Sequence, residues 1–386
     1  MRALFRKLRR ARFAYEPLIN VLVYRKRLER NYESFKTSLG KQKPACEVAP
    51  VLKSNAYGHG LVPVAHIFDR LGAPFMVIDS FYEALVLRNE HVRSPLLVMG
   101  YTPLSNVKLK RLQDVRFVLM GIEQVQEIAE GLHVPRRFHL KIDTGMHRQG
   151  VPLDQLDRAL SLIKSNSKVQ LEGVCTHLAD ADGPDELFTH KQIRTWNDVV
   201  AKVSGAFPDI KYKHVAATAG TTFSSSIDAN VARVGLGMYG LTTSPRAGGP
   251  GAPVLEPALA LTTRVTSLRT LQPGERVGYN VTFTAKRVSK IATIPVGYFE
   301  GLDRRLSSIG VVEVRGTLCP IAGRVSMNIC SIDVTDLPDV AVGDPVTVYS
   351  ADPGKPNSIA QAAATAHAIP YDLLVHIAPH LRRTIV

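Results

Sequence analysis

Five segments of the chain set a cationic, imidazole or hydroxyl side chain among small, turn-forming neighbours. Lys53 stands in VLKSNAYGHG, Lys141 and Arg148 in KIDTGMHRQG, His177 in VCTHLADAD, Thr218 in HVAATAG and Arg233 in VARVGLGMYG. Lys53 directly follows the apolar run 48–52. A lysine at the end of a buried strand is costly to keep charged. Burial lowers its pKa and suits it to nucleophilic, Schiff-base chemistry. A lysine snorkelling to a rim, with its amine in water, fits the same residues. Several cations around one site imply an anionic ligand. The Thr218 hydroxyl and the backbone near Gly235 suit a phosphate. An imine-forming lysine beside a phosphate site points to pyridoxal 5'-phosphate (PLP).

Those residues need a scaffold that brings strand ends together. Short apolar, β-branched runs at 46–52, 75–78, 95–99, 116–120, 138–143, 171–176, 214–218 and 231–235 alternate with segments of helical period. Leu153, Leu156, Leu160 and Ile163 line one helical face, as do Trp196, Val199, Val200 and Val203. Eight β–α repeats predict an α/β fold, a (β/α)8 barrel of the TIM type, with function at the C-terminal strand ends. An open doubly wound sheet shares the same local pattern. A Pro- and Gly-rich stretch at 242–257 reads as a linker or exposed loop. Beyond it, strand-like runs at 265–271, 276–279, 291–296, 310–314, 329–334 and 345–349 predict a mostly β second domain, closed by helix-like segments at 358–367 and 371–377. The expected organisation is a basic tail (1–17), a barrel domain (18–245) and a C-terminal β domain (246–386). Gly235, Gly237 and Gly240 match GxGxxG, but a loop rather than a helix comes after them, which argues against a dinucleotide site.

With 386 residues, 45% hydrophobic and 21% charged, the chain has the composition of a globular protein rather than a disordered one. No apolar run is long enough for a membrane helix. Cys46, Cys175, Cys319 and Cys330 are scattered, with no CxxC pair, so no zinc site and no disulfide framework is expected. Six positive charges (Arg2, Arg6, Lys7, Arg9, Arg10, Arg12) precede the first acid, Glu16; of the net +14 they leave +8 on the rest. Residues 1–13 fit a solvated extension, or a helix on an anionic surface. They lack the apolar run of a secretory signal, and a cytoplasmic protein is expected. Neither a nucleic-acid nor an integral-membrane partner is expected.

Taken in order, VLKSNAYGHG, KIDTGMHRQG, CTHLADAD, ARVGLGMYG, GYNVTFTA, VGYFEG and GRVSMNICSIDVTD resemble the signature segments of the alanine racemase family, from about Leu18 onward. The resemblance implies a PLP-dependent fold with an N-terminal barrel and a C-terminal β domain. Lys53 matches the lysine that binds PLP covalently and serves as one catalytic base; Tyr279 matches the opposing base. Tyr57 and Tyr371 match phosphate-binding tyrosines, aided by Thr218 and the backbone of Gly235 and Leu236. His177 matches the histidine packed on the cofactor ring. Arg148 matches the arginine near the cofactor 3-oxygen and the substrate carboxylate, and Arg233 the one facing the pyridine nitrogen. Lys141 stands where many members carry a carbamylated lysine supporting Arg148. Met327 and Tyr298 match positions lining the substrate pocket and its entrance. The implied assembly is a homodimer with shared sites, the tyrosine base coming from the partner. The implied reaction interconverts L- and D-alanine, supplying D-alanine for peptidoglycan.

The match has departures. Ala217-Thr218 stands where the family usually has Asn-Ser, Asn328 where it has aspartate, Phe283 where tyrosine is common, and Phe299-Glu300 where Ala-Asp is usual. These surround the pocket and leave substrate identity more open than fold or cofactor. A racemase of another amino acid such as serine is one alternative. A PLP-dependent decarboxylase would carry a Gly-rich phosphate loop and a cysteine-bearing active-site segment, which the sequence lacks. A non-catalytic PLP-binding protein would resemble the barrel alone.

Overall fold

The computed structural model describes residues 16–42, 45–109, 113–246, 248–249 and 252–386; the basic segment 1–13 lies outside them. The first strand, β1 (Asn20–Val23), leads into a helix, Arg25–Gly40. Leu28, Tyr32, Phe35 and Leu39 form that helix's buried stripe at spacings of three and four. Eight further strands make up the first domain: β2 (Glu47–Pro50), β3 (Met76–Ile78), β4 (Leu96–Val98), β5 (Val115–Leu119), β6 (Arg136–Lys141), β7 (Val169–Cys175), β8 (Tyr212–His214) and β9 (Val231–Val234).

All eight pair in parallel, in the order β2-β9-β8-β7-β6-β5-β4-β3. A parallel bridge between Val51 and Val77, with the Leu52 N–H donating to the Val77 carbonyl at 2.7 Å, joins the two ends. The result is a nearly closed barrel rather than an open sheet. Strands covered on both faces read as continuous apolar runs, and β3, β4 and β9 are buried at every position. The outer layer includes the helix Leu187–Ala206, whose Trp196 is fully buried and donates from Nε1 to the Asp228 carbonyl at 3.0 Å.

The second domain is mostly β. Its strands are β10 (Leu259–Arg264), β11 (Ser267–Leu271), β12 (Arg276–Val277), β13 (Phe283–Thr284), β14 (Ser289–Ile294), β15 (Val311–Val314), β16 (Thr317–Pro320), β17 (Cys330–Asp333), β18 (Pro345–Tyr349) and β19 (Arg383–Ile385). They form a six-stranded sheet, β16-β15-β18-β10-β1-β19, a three-stranded sheet, β11-β14-β17, and the small hairpin β12-β13.

Two features differ from the sequence expectation. Residues 20–23, grouped there with the barrel, belong to the second domain's sheet: β1 runs antiparallel to β10 and parallel to β19. Val21 and Val23 are buried in alternation, the pattern of a strand with one covered face. Segment 276–279 is a strand only at Arg276–Val277; Gly278, at φ +80°, breaks it, and Tyr279 opens a short 3₁₀ turn, Tyr279–Val281. Side chains lock the linker to the barrel. Asn31 donates to the Met238 and Glu256 carbonyls and accepts from the Glu256 N–H, while Arg27 donates to the Pro257 and Ala351 carbonyls.

Trp196→Ala is expected to cost about 3–5 kcal/mol, as for a large fully buried aromatic. Urea unfolding followed by circular dichroism checks this, the expected result being a lower midpoint with an unchanged slope.

Candidate active site

One cavity of ≈ 440 Å³ opens at the C-terminal end of the barrel strands. Its wall brings together the cationic and imidazole groups Lys53, Lys141, Arg148, His177 and Arg233 with Tyr57, Thr218, Gly235, Leu236 and Tyr371. Segments from Lys53 to Tyr371, nearly the length of the chain, are thereby gathered at one strand-end face. Asp79, Met99, Tyr101 and Gln149 also line the cavity, without having stood out in the sequence. Four cationic side chains facing a single lining carboxylate, that of Asp79, make the cavity suited to an anion.

Lys53 is exposed at the cavity mouth. The expectation that burial activates it is therefore corrected: β2 ends at Pro50, and the chain turns outward before the lysine. The backbone just after Lys53 is uncommon. Ser54, Asn55, Ala56 and Tyr57 have φ of 56, 57, 53 and 50°, one turn of left-handed helix. For L-residues this costs roughly 1–2 kcal/mol each. Specific bonds hold the turn. The Ser54 N–H donates to Glu83 Oε1 at 3.0 Å, the Leu61 N–H to Asn55 Oδ1 at 2.8 Å, and the Ala56 N–H to the Leu52 carbonyl at 2.7 Å. Arg383, from the second domain, donates through Nε and Nη2 to the Gly58 carbonyl at 3.0 and 2.8 Å.

The turn delivers Tyr57 to the cavity floor. Its ring lies 5.0 Å from that of Tyr239 and 5.8 Å from that of Tyr371, centroid to centroid. A Cβ at residue 235 would collide with Tyr57 Oη, so glycine there lets the hydroxyl reach the backbone. Thr218 Oγ1 accepts from the Gly237 N–H at 3.0 Å, which leaves its own hydrogen free to donate. Burial raises the pKa of Tyr57 and of Tyr371, so both keep their protons. Three hydroxyl donors therefore converge on one corner.

Arg233 is buried in β9, with its guanidinium bound from several sides. Nη1 donates to His214 Nδ1 at 2.6 Å and to the His214 carbonyl at 2.8 Å. Nη2 reaches the Thr176 carbonyl at 2.8 Å, the Val215 carbonyl at 3.1 Å and His177 Nδ1 at 3.2 Å. A guanidinium only donates, so His177 accepts at Nδ1. Burial, then the charges of Arg233, Lys141, Arg148 and Lys53, pushes the His177 pKa down to about 3 and keeps the ring neutral. Lys141 is also buried; its Nζ lies 3.4 Å from Gln149 Oε1. Burial and the nearby arginines lower its pKa and favour the free amine. Sequence reasoning passed over His139, His214 and Tyr239. Their signal was a polar residue inside an otherwise apolar strand or strand-end motif.

Tyr279 and Met327 lie elsewhere. Both line a separate cavity of ≈ 600 Å³ on the second domain, with Gly278, Arg324 and Asn328. Tyr279 is 69% exposed and Met327 55%. Tyr298, 42% exposed, lines neither cavity. One chain does not unite Lys53 with Tyr279. Two of the sequence departures touch each other: Asn328 Nδ2 donates to Glu300 Oε1 at 2.7 Å, and Glu300 Oε2 accepts from the Gly297 N–H at 2.8 Å.

Known proteins share this fold. Residues 23–243 match the family model described as alanine racemase, N-terminal domain, and residues 258–385 the one described as alanine racemase, C-terminal domain. The chain is 35% identical over 324 residues to an alanine racemase of Sorangium cellulosum, covering 82% of this chain and 83% of that one. It is 32% identical over 344 residues to one from Methanococcus maripaludis, covering 88% and 92%. Among solved structures, the alanine racemase of Bacillus anthracis with bound L-Ala-P superposes with a TM-score of 0.86 at 30% identity, covering 97% and 96% of the two chains. That of Clostridium difficile 630 gives 0.87 at 25%, covering 97% of each.

Three buried histidines, together with His177 at the cavity wall, give stability a defined pH dependence. Burial lowers the pKa of His59 to about 4 and of His177 to about 3, and shifts His139 and His214 the same way. The unfolded chain takes up protons near pH 6.5 that the folded chain refuses, so stability rises with pH and falls on acidification. Each such histidine contributes up to ~1.4 kcal/mol per pH unit. Urea midpoints are expected to drop steadily between pH 6.5 and about 4; a flat profile there contradicts the assignment.

Proposed function

The chain belongs to the alanine racemase family, and from that premise we propose that it is a PLP-dependent racemase interconverting L- and D-alanine. The observation that carries this is one cationic cavity uniting Lys53, Arg148, His177, Arg233, Thr218 and the tyrosines Tyr57 and Tyr371. These residues fit the cofactor. An exposed primary amine can bind an aldehyde, and three hydroxyl donors around a side-chain-free Gly235 make a corner for phosphate. Neutral His177 presents an uncharged ring beside Arg233. When bound, PLP supplies an electron-withdrawing ring that makes the Cα–H of an attached amino acid acidic.

The residues divide the remaining work. Lys53 holds the cofactor and moves a proton on one face of Cα. Tyr279 holds or takes the proton on the other, because one base does not serve both faces. Arg148 anchors the substrate carboxylate and the cofactor 3-oxygen. Arg233, always charged, keeps the pyridine nitrogen unprotonated and so weakens the electron sink, which favours simple proton exchange over side reactions. The phosphate sits with Tyr57, Tyr371, Thr218 and the backbone of Gly235 and Leu236. Lys141, whose pKa burial lowers, can add carbon dioxide as a carbamate, releasing a proton to solvent, and support Arg148. Met327 and Tyr298 wall the substrate pocket and its entrance.

Because Lys53 and Tyr279 line different cavities of one chain, the proposed active form is a homodimer in which Tyr279 of the partner subunit faces Lys53. Exposed Tyr279, Met327, Phe299 and Ile329 supply an apolar surface for that contact. Among the described residues no helix is long and apolar enough to cross a membrane. The proposed setting is the cytoplasm, with D-alanine supplied to peptidoglycan synthesis.

Proton NMR in heavy water with alanine tests the reaction. The α-proton signal is expected to fade as the opposite enantiomer accumulates. Lys53→Ala should lose both the exchange and the visible absorbance of the loaded protein. Tyr279→Phe should keep the absorbance and lose exchange on one face, so that one enantiomer still exchanges its α-proton while racemisation fails in both directions. Undiminished racemisation in either variant contradicts the two-base assignment, and an amine product moves the chain to decarboxylation.

A further inference from the structure

Behind Arg233 a line of buried polar side chains crosses the barrel to its opposite end. His214 Nε2 lies 2.6 Å from His139 Nδ1. His139 Nε2 points on toward Glu172 Oε2 at 3.8 Å, too far for a hydrogen bond, and has no other partner among the described residues. Glu172 receives Arg116 Nε at 2.6 Å, and Arg116 in turn donates to Asp114 Oδ1 at 2.6 Å. Both imidazoles are fully buried. The barrel makes room for them: any Cβ at Gly173, inside β7, would stand 2.7–2.8 Å from the His139 ring. Phe75 meets that ring edge-on at 5.4 Å, and Tyr212 stacks on it at 5.6 Å.

Donor and acceptor chemistry fixes every proton in this line. Arg233 only donates, so His214 accepts at Nδ1. Burial and the adjacent guanidinium keep His214 neutral, so its one proton is on Nε2 and is donated to His139. His139, also neutral, accepts at Nδ1 and carries its proton on Nε2, aimed at Glu172. A donor-only cation stands at one end and an acceptor-only carboxylate at the other. The charged groups facing the two rings are Arg233, Arg116 and Glu172.

We propose that Glu172 is a positioning residue: through the fixed tautomers of His139 and His214 it holds the Arg233 guanidinium in place at the cavity, from the far end of the barrel. Without its carboxylate, the His139 Nε2 proton has nothing to face. Moving that proton to Nδ1 sets two N–H groups against each other at His214. Turning His214 over in response sets an N–H against Arg233. The tautomer assignment stands on the described geometry alone; its effect on catalysis rests on the proposed role of Arg233 toward the cofactor.

Long-range proton–nitrogen correlation spectra of the imidazoles, on full-length protein with and without PLP, test this directly. Both His139 and His214 are expected as neutral rings protonated on Nε2. Glu172→Ala is expected to shift the His139 nitrogens away from that tautomer and to lower kcat about tenfold to a hundredfold, with KM little changed, the scale of a buried N–H losing the carboxylate it faces. Glu172→Gln keeps an acceptor and should retain the tautomers and most of the activity. A proton on His214 Nδ1 overturns the proposal. So do His139 spectra indifferent to Glu172→Ala, or loss of kcat in Glu172→Gln with both tautomers intact. If the wild-type chain racemises no amino acid, the proposed reaction fails, while the spectra still decide the tautomers.

Discussion

A guanidinium sealed inside a barrel is the constraint around which the rest is arranged. Arg233 cannot shed its charge, and an unpaired buried cation costs more than a fold of this size can tolerate. Its partners therefore come from neighbouring strand ends: the His214 ring and carbonyl, the Thr176 and Val215 carbonyls, and His177 Nδ1. Each acceptor fixes a neighbour. The Thr176 carbonyl fixes where β7 ends, His177 is held neutral at the cavity wall, and His214 is tied to one tautomer. At Gly173 the backbone comes so near the His139 ring that any Cβ would collide with it.

The two domains meet this centre unequally. The barrel supplies the cations and most of the hydroxyl-lined corner proposed for phosphate. The second domain contributes Tyr371 and, through Arg383, a clamp on the Gly58 carbonyl that steadies the left-handed turn after Lys53. Its remaining chemical residue, Tyr279, sits on a tight turn facing outward. On the proposed reading, a site divided this way is completed by the tyrosine of a second chain. The same reading has the partner subunit cover Lys53, which is exposed in one chain.

Much of this was legible in the sequence, and for physical reasons. Barrel strands covered on both faces are mostly apolar, so β3 and β4 read as short apolar runs, while β5, β6, β7, β8 and β9 carry charged or imidazole side chains among their apolar ones. Residues such as Lys53 and Arg233 stood out because a cation beside such a run needs an explanation. What escaped notice depended on tertiary contact. Residues 20–23 are too few to announce a strand, and their partners lie far along the chain, at 259–262 and 383–385. The linker's Pro-rich end hid β10. The left-handed turn at Ser54–Tyr57 has no glycine among its residues, so no local signal marks it. His139 and His214 looked like ordinary interior histidines, because their meaning lies in facing each other across the barrel. The pairing of Asn328 with Glu300 turns two apparent departures into one matched change.

The place of β1 has a consequence for how the protein is made. Residues 20–23 leave the ribosome before the rest of their sheet, which needs β10 on one side and β19, residues 383–385, on the other. The barrel's own strands end at Val234, so that domain can assemble while synthesis continues. If the barrel closes first, β1 stays an unpaired strand bearing Val21 and Val23 throughout that interval, the kind of edge that invites pairing with a neighbouring nascent chain. The second domain therefore becomes a single cooperative unit only when the first and last described strands meet. A truncation at the C-terminus that touches no catalytic group should still leave the N-terminal strand exposed and the chain prone to aggregate.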